Sequence, residues 1–183
     1  MSSPASASTS QPVRLTIDSR ETQFISLFTA KERTEQFGIE AMSVGDFAFY
    51  GGNEVASQEG GASVAQPVLV IERKTEADLQ SSIKDGRWRE QKERLDSLRA
   101  TGVTILFLIE RSDWKARRFL DMPLIQGAIL NTLVRDNYGI IYTDSLEHTV
   151  EMIETLYKKI ARGDFEQLRA PGRGGRQHHL GRH

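Results

Sequence analysis

Asp46, Glu72 and Lys74 are the side chains of this sequence most suggestive of a reaction centre. Glu72 and Lys74 close the stretch 68–74, which reads Val-Leu-Val-Ile-Glu-Arg-Lys. Its apolar start is long enough for a strand buried on both faces and too short for a helix, and the charges after it mark the rim of a sheet. The rim beyond strand carboxyl ends is where α/β proteins bind ligands. Side chains alternate along a strand, so Glu72 and Lys74 share one side while Arg73 points to the other. Asp46, preceded by Gly45, can join them in one cleft as an acid, acid, base set. Two carboxylates suit a hard cation that prefers oxygen ligands, Mg²⁺ or Mn²⁺. An ammonium beside them can orient or help deprotonate a metal-bound water, or balance charge on an attacked phosphate. The chemistry implied is metal-assisted hydrolysis of a phosphodiester. Taken alone, the same residues also fit a solvated Glu-Lys pair and an ordinary Gly-Asp turn.

The longer string separates these readings. After Glu72-Arg73-Lys74 come Asp78, then Ser81-Ser82-Ile83-Lys84-Asp85-Gly86-Arg87 and Gln91-Lys92; upstream stands Ile17-Asp18-Ser19-Arg20-Glu21. With Gly45-Asp46, this resembles the nuclease domain of the XPF/Hef/Mus-type structure-selective endonucleases, whose signature is G-D, a variable gap, then E-R-K-x-x-x-D. The Ser-Ser-Ile segment, Gln91 to Leu95, and 126–132 followed by Gly139 resemble the Mus-type branch more closely. The resemblance covers residues 13 to 162. It implies an α/β restriction-endonuclease-like fold, a mixed central sheet flanked by helices on both faces. It implies Mg²⁺- or Mn²⁺-dependent cleavage of branched DNA (flaps, forks, junctions) near single-strand/double-strand junctions, in DNA repair or recombination, leaving a 5′ phosphate and a 3′ hydroxyl. Asp46, Glu72 and the Arg73 carbonyl would hold the metal, with Asp18 and Glu21 completing or supporting the site. Lys74 would orient the water, and Asp78 would orient Lys74 or a metal-bound water. Lys84, Arg87 and Gln91 would contact DNA, as would Arg117 and Arg118, although their basic loop reads equally as a solvated one.

The elements that must position these groups are set by periodicity. Residues 13–18 alternate as a first strand, with Asp18 at its end and Ser19 or Asp18 able to cap the helix after it. Phe24 to Phe37 carries an amphipathic pattern, a helix ended by Gly38. Strands are expected over 39–42 and 47–50, with Phe47 and Phe49 in the core. The Gly- and Ser-rich stretch 51–66 reads as a flexible insertion. A helix starts at Thr75, breaks at Asp85-Gly86 and resumes from Arg87 to Ala100, with Trp88 as a packed anchor. A strand over 103–109, a helix over 122–134, a strand over 139–142 and a helix over 145–161 complete the order. The apolar coverage of the last helices exceeds what one sheet face needs, and with the resemblance this implies a homodimer or heterodimer.

Composition sets the outer limits. The chain has 183 residues, 38% hydrophobic content and a net charge of −1, which suits one medium domain with a core and makes any DNA surface a matter of local charge segregation. It lacks cysteine, so thiolate metal sites and disulfides are excluded. No apolar run reaches the length of a membrane span. Residues 1–12 read as a disordered arm and 163–183 as a disordered Gly-, Arg- and His-rich basic tail. An intracellular location is expected, nuclear in a eukaryote. Two other readings are open: a non-catalytic DNA-binding scaffold subunit, and a junction resolvase or restriction-type nuclease of the same fold.

Overall fold

The computed structural model describes residues 13–31, 37–51, 66–165 and 168. Among them a six-stranded mixed sheet runs in the order β2-β1-β3-β4-β5-β6. The strands are β1 (Arg14–Asp18), β2 (Phe37–Glu40), β3 (Phe47–Tyr50), β4 (Leu69–Thr75), β5 (Thr104–Glu110) and β6 (Gly139–Thr143). β3 pairs antiparallel with both β1 and β4, whereas β1–β2, β4–β5 and β5–β6 are parallel. Helices α1 (Thr22–Thr29), α2 (Glu76–Lys84), α3 (Arg87–Arg99), α4 (Trp114–Arg117), α5 (Met122–Leu130) and α6 (Leu146–Ala161) make the connections.

β4 is apolar on both faces because both faces are covered. Leu69 and Ile71 pack with Phe24, Phe28 and Ile153 on the side of α1 and α6. Val70 packs with Leu79, Trp88 and Ile125 on the side of α2, α3 and α5. Alternation carries this division past the end of the apolar run. Glu72 and Lys74 therefore lie on the α2/α3/α5 side and Arg73 on the α1/α6 side.

Three expectations are corrected. The helix expected from Phe24 to Phe37 ends at Thr29, while Phe37 and Gly38 belong to β2, which pairs with β1 in the register Leu15↔Phe37. Phe37 still reaches the core, edge-on to Phe28 at 5.2 Å. A strand delivers it there as well as a helix would, so periodicity could not separate the two. The strand expected at 39–42 consequently stands at Phe37–Glu40. The helix expected over 122–134 changes at Leu130 into a π-helical turn, Asn131–Arg135. There the Thr132 hydroxyl donates to the Ala128 carbonyl at 2.8 Å. Trp88 is buried against Phe107, as expected of an anchor, with ring centroids 4.9 Å apart.

The arm at 1–12 and the insertion, but for Gly51 and Gln66, lie outside the described residues. So does most of the basic tail, but Phe165 and Leu168 pack on the core on the α1/α6 side of the sheet.

Candidate active site

Gly45 is the hinge of the site. Its φ is +75°, a left-handed conformation that side chains disfavour, and a Cβ there would run into the Val70 side chain. With that turn made, the Asp46 amide donates to the Ile71 carbonyl at 2.8 Å, and the Asp18 amide donates to the Asp46 carbonyl at 2.8 Å. Asp46 is thereby fixed between the ends of β1 and β4. Its Oδ2 accepts the Arg73 amide at 2.7 Å.

Glu72 and Lys74 are both buried, on the same side of β4, with Nζ 3.8 Å from Oε1. Burial pushes the Asp46 carboxyl up to about 8, and the negative charge of Glu72 adds to the effect. Glu72 is raised too, again chiefly by burial, with Lys74, Arg20 and Arg94 opposing. A half-buried Asp46 beside a buried Glu72, with the Lys74 ammonium 3.8 Å from Glu72, makes an acidic pair in which the Glu72 charge disfavours ionisation of Asp46.

The other side of β4 is compensated. The Arg73 guanidinium bonds Glu21 at 3.0 Å and Glu110 at 2.8 Å. Glu110 Oε2 also accepts from the Thr149 hydroxyl at 2.8 Å, and Thr149 meets Thr143 at 2.8 Å. The Arg73 side chain is thus tied to α1, β5 and α6 while its amide holds Asp46. Glu110 and Thr149 escaped the sequence reading. Glu110 ends an otherwise apolar strand, and only the register Thr75↔Glu110 brings it beside the Glu-Arg-Lys motif.

The other residues singled out in the sequence take varied places. Asp18 is fully buried and spends its oxygens on four donors: the Arg20 amide at 2.7 Å, two Arg20 guanidinium nitrogens at 2.8 Å and the Met42 amide at 2.9 Å. A carboxylate has about four lone-pair directions, so Asp18 acts here as a clamp on the loop before β3. Glu21 precedes α1 without a capping hydrogen bond and serves Arg73. Among the described residues no group of three or more His, Cys, Asp or Glu is arranged to hold a metal. The donor set that converges is Asp46 and Glu72.

Thr75 caps α2: its hydroxyl accepts the Asp78 amide at 3.1 Å and donates to Asp78 Oδ2 at 2.8 Å. That contact, and not one to Lys74, is the geometry of Asp78. Lys84 and Arg87 are exposed where Gly86, at φ +82°, separates α2 from α3. Arg87 pairs with Asp85 at 2.6 Å. Exposed pairs of this kind are worth little, so the guanidinium can be given up to a phosphate. Gln91 Oε1 is buried without a partner. Arg117 lies 3.0 Å from the buried Glu76, and Arg118 extends over the Phe119 ring at 4.7 Å.

Residues 17–156 match the ERCC4 domain. The chain belongs to the ERCC4 domain family. This is a family of structure-specific DNA nucleases. Among solved structures the chain is similar to XPF from Aeropyrum pernix in complex with DNA, at 20% identity and a TM-score of 0.58, over 84% of this chain and 65% of that one. It is likewise similar to XPF from Aeropyrum pernix, at 20% identity and a TM-score of 0.56, over 79% of this chain and 65% of that one. The chain therefore spans less than two thirds of the length of either structure. No curated protein matches it. The ERCC4 match and these neighbours agree with the six-stranded mixed sheet in giving an α/β restriction-endonuclease-like fold.

Proposed function

We propose that this ERCC4 domain is a divalent-metal-dependent endonuclease that cuts branched DNA near single-strand/double-strand junctions. The observation that carries the reading is the acidic pair Asp46 and Glu72 with Lys74 beside it. Its donors are hard oxygens, which fit Mg²⁺ or Mn²⁺ retaining several waters. Asp46 and Glu72 would hold the ion, the Arg73 carbonyl completing the protein's share, with Asp18 and Glu21 shaping the site from behind. A bound ion would polarise the scissile phosphate and lower the pKa of a coordinated water.

The chain's own residues do the rest. The Arg73 amide fixes the Asp46 carboxylate, and the Arg73–Glu110–Thr149 ties keep the end of β4 from turning. Lys74 supplies a positive charge toward the attacked phosphate and a hydrogen-bond donor that orients the water. Lys84, at the end of α2, and Arg87 and Gln91, in the first turns of α3, would position the duplex through its backbone without reading sequence. The products are a 5′ phosphate and a 3′ hydroxyl. DNA in the complex with Aeropyrum pernix XPF supports the substrate class. The exposed side chains Leu130, Leu133 and Val134 support pairing with a second ERCC4-type chain, identical or not.

The test is cleavage of end-labelled 3′-flap, fork and linear duplexes with Mg²⁺ or Mn²⁺, beside Asp46→Asn and Lys74→Ala. Metal-dependent nicking near the branch, lost in both variants, is expected. Tight binding of branched DNA without cleavage at any enzyme concentration would make the chain a scaffold. Equal cutting of linear and branched duplexes would make it a restriction-type relative.

A further inference from the structure

A cavity of about 180 Å³ opens between α5, β6 and the segment after β5, lined by Glu76, Arg111, Arg117, Ile125, Gln126 and Tyr142 among others. An apolar cavity of about 150 Å³ is known to take a benzene ring, so this one has room for one flat ring. Ile125 gives it an apolar floor, and Gln126 brings an amide able both to donate and to accept. The Arg111 guanidinium sits over the Tyr142 ring, 4.8 Å from its centroid. Glu76 does not leave a bare negative charge, since Ser112 donates to it at 3.0 Å and Arg117 lies 3.0 Å away.

Two aromatic side chains stand in solvent close by in the chain. Trp114 is 73% exposed and Phe119 75%. Each carries its own cation: Lys115 Nζ is 5.6 Å from the Trp114 ring centre and the Arg118 guanidinium 4.7 Å from that of Phe119. Exposed rings interleaved with cations are how proteins bind single strands, the rings stacking on bases and the cations following phosphates.

The position of the cavity gives this a purpose. Tyr142 belongs to the same side of the sheet as Val70, and by alternation as Glu72 and Lys74. Glu76 stands two residues after Lys74, which limits the Cα separation to about 7 Å. β6 stands two strands from β4, about 10 Å across the sheet.

We propose that this cavity receives a base of the unpaired DNA strand at a branch, with Trp114 and Phe119 stacking its neighbours. The proposal rests on the nuclease reading for its purpose, but the binding it describes does not require catalysis. It accounts for how a site with no base-reading groups of its own would prefer junctions: the duplex lies along α3 and the single strand is drawn off over α4 and α5.

Fluorescence tests it directly, because the chain has two tryptophans, Trp88 buried and Trp114 exposed. The full chain, as parent and as Asp46→Asn, is titrated with an unlabelled oligothymidylate and with a blunt duplex of equal length. The expected result is saturable quenching by the single strand in both proteins, absent in Trp114→Phe. Half-saturation should rise about tenfold or more in Arg111→Ala and in Gln126→Ala, while their thermal unfolding stays cooperative. The blunt duplex should quench at much higher concentration. No quenching, or equal quenching by both DNAs, overturns the proposal. A blue-shifted Trp114 emission that grows with protein concentration without DNA, alongside a doubled mass in light scattering, also overturns it by giving the surface to a second copy. Quenching that persists while neither protein cleaves any DNA would instead sink the nuclease reading and leave the strand-binding site standing.

Discussion

Asp18 and Asp46 are bonded to each other through their backbones, yet their carboxyls are pushed in opposite directions. The Arg20 side chain, with amide donors from Arg20 and Met42, holds Asp18 below the usual carboxylate range. Burial, and Glu72 after it, lifts Asp46 well above that range. One aspartate has every oxygen lone pair answered; the other has the Arg73 amide and an acidic neighbour. A folded protein keeps a half-buried carboxylate in the second condition only at a cost, which a bound cation would reduce. Acidic residues near a cleft are therefore not equivalent. Asp18 and Glu21 are answered by arginine, and the proposed site is the pair Asp46 and Glu72.

The sharpest break in this contrast is to neutralise the pair Asp46 and Glu72. Asp46→Asn or Glu72→Gln should lower metal-dependent cleavage by about 10³-fold or more, read as single-turnover rates on a flap substrate. Next come the carboxylates bound to arginine. Glu110→Ala removes one of the two carboxylates that hold Arg73 and should cost about 10–100-fold in rate or metal affinity, with Glu110→Gln recovering part of it. A purely structural role would instead move thermal stability and leave metal affinity alone.

Acid–base behaviour separates the two aspartates without any substrate. Unfolded aspartate titrates near about 3.9. Asp46 stands above that value in the fold, so the metal-free folded state holds the extra proton and stability falls as pH rises from about 4 to 8. Asp18 stands below it, so its contribution is present above about 4 and is lost as pH falls. In EDTA, the melting temperature of the parent should therefore decline from about pH 5 to pH 8, and Asp46→Asn should flatten that decline. The smallest effect belongs to Asp78→Ala. As the partner that orients the Thr75 cap, it should lower the melting temperature by about 2–4 °C and change the cleavage rate less than about threefold; a loss beyond about tenfold at constant stability would return it to the chemistry.

Short-range pattern made part of this molecule readable from its sequence. The end of β4 was legible because a continuous apolar run stops abruptly in charge, and alternation alone put Glu72 with Lys74 and Arg73 opposite. Gly45 announced the turn that Asp46 needs. Phe37 was misread because a helix and a strand both bring it to Phe28. The partners were out of reach for another reason. Arg73 with Glu110, Asp18 with Met42, and Arg117 with Glu76 are brought together by strand register and helix packing across long sequence separations. Nothing local separates Asp18, Glu21, Asp46 and Glu72, whereas the structure gives Asp18 and Glu21 arginine partners and sets Asp46 against the charge of Glu72.

An ion should bind at the pair Asp46 and Glu72 and not at the clamp. Mn²⁺ binding, followed by the loss of its free electron paramagnetic resonance signal, puts the question directly to the parent, Asp46→Asn and Asp18→Asn at a temperature where all three are folded. Saturable Mn²⁺ uptake by the parent, abolished in Asp46→Asn and kept within about threefold in Asp18→Asn, is the predicted result. Undiminished uptake by Asp46→Asn, or its loss in Asp18→Asn alone, would contradict this assignment and move the site to the other aspartate.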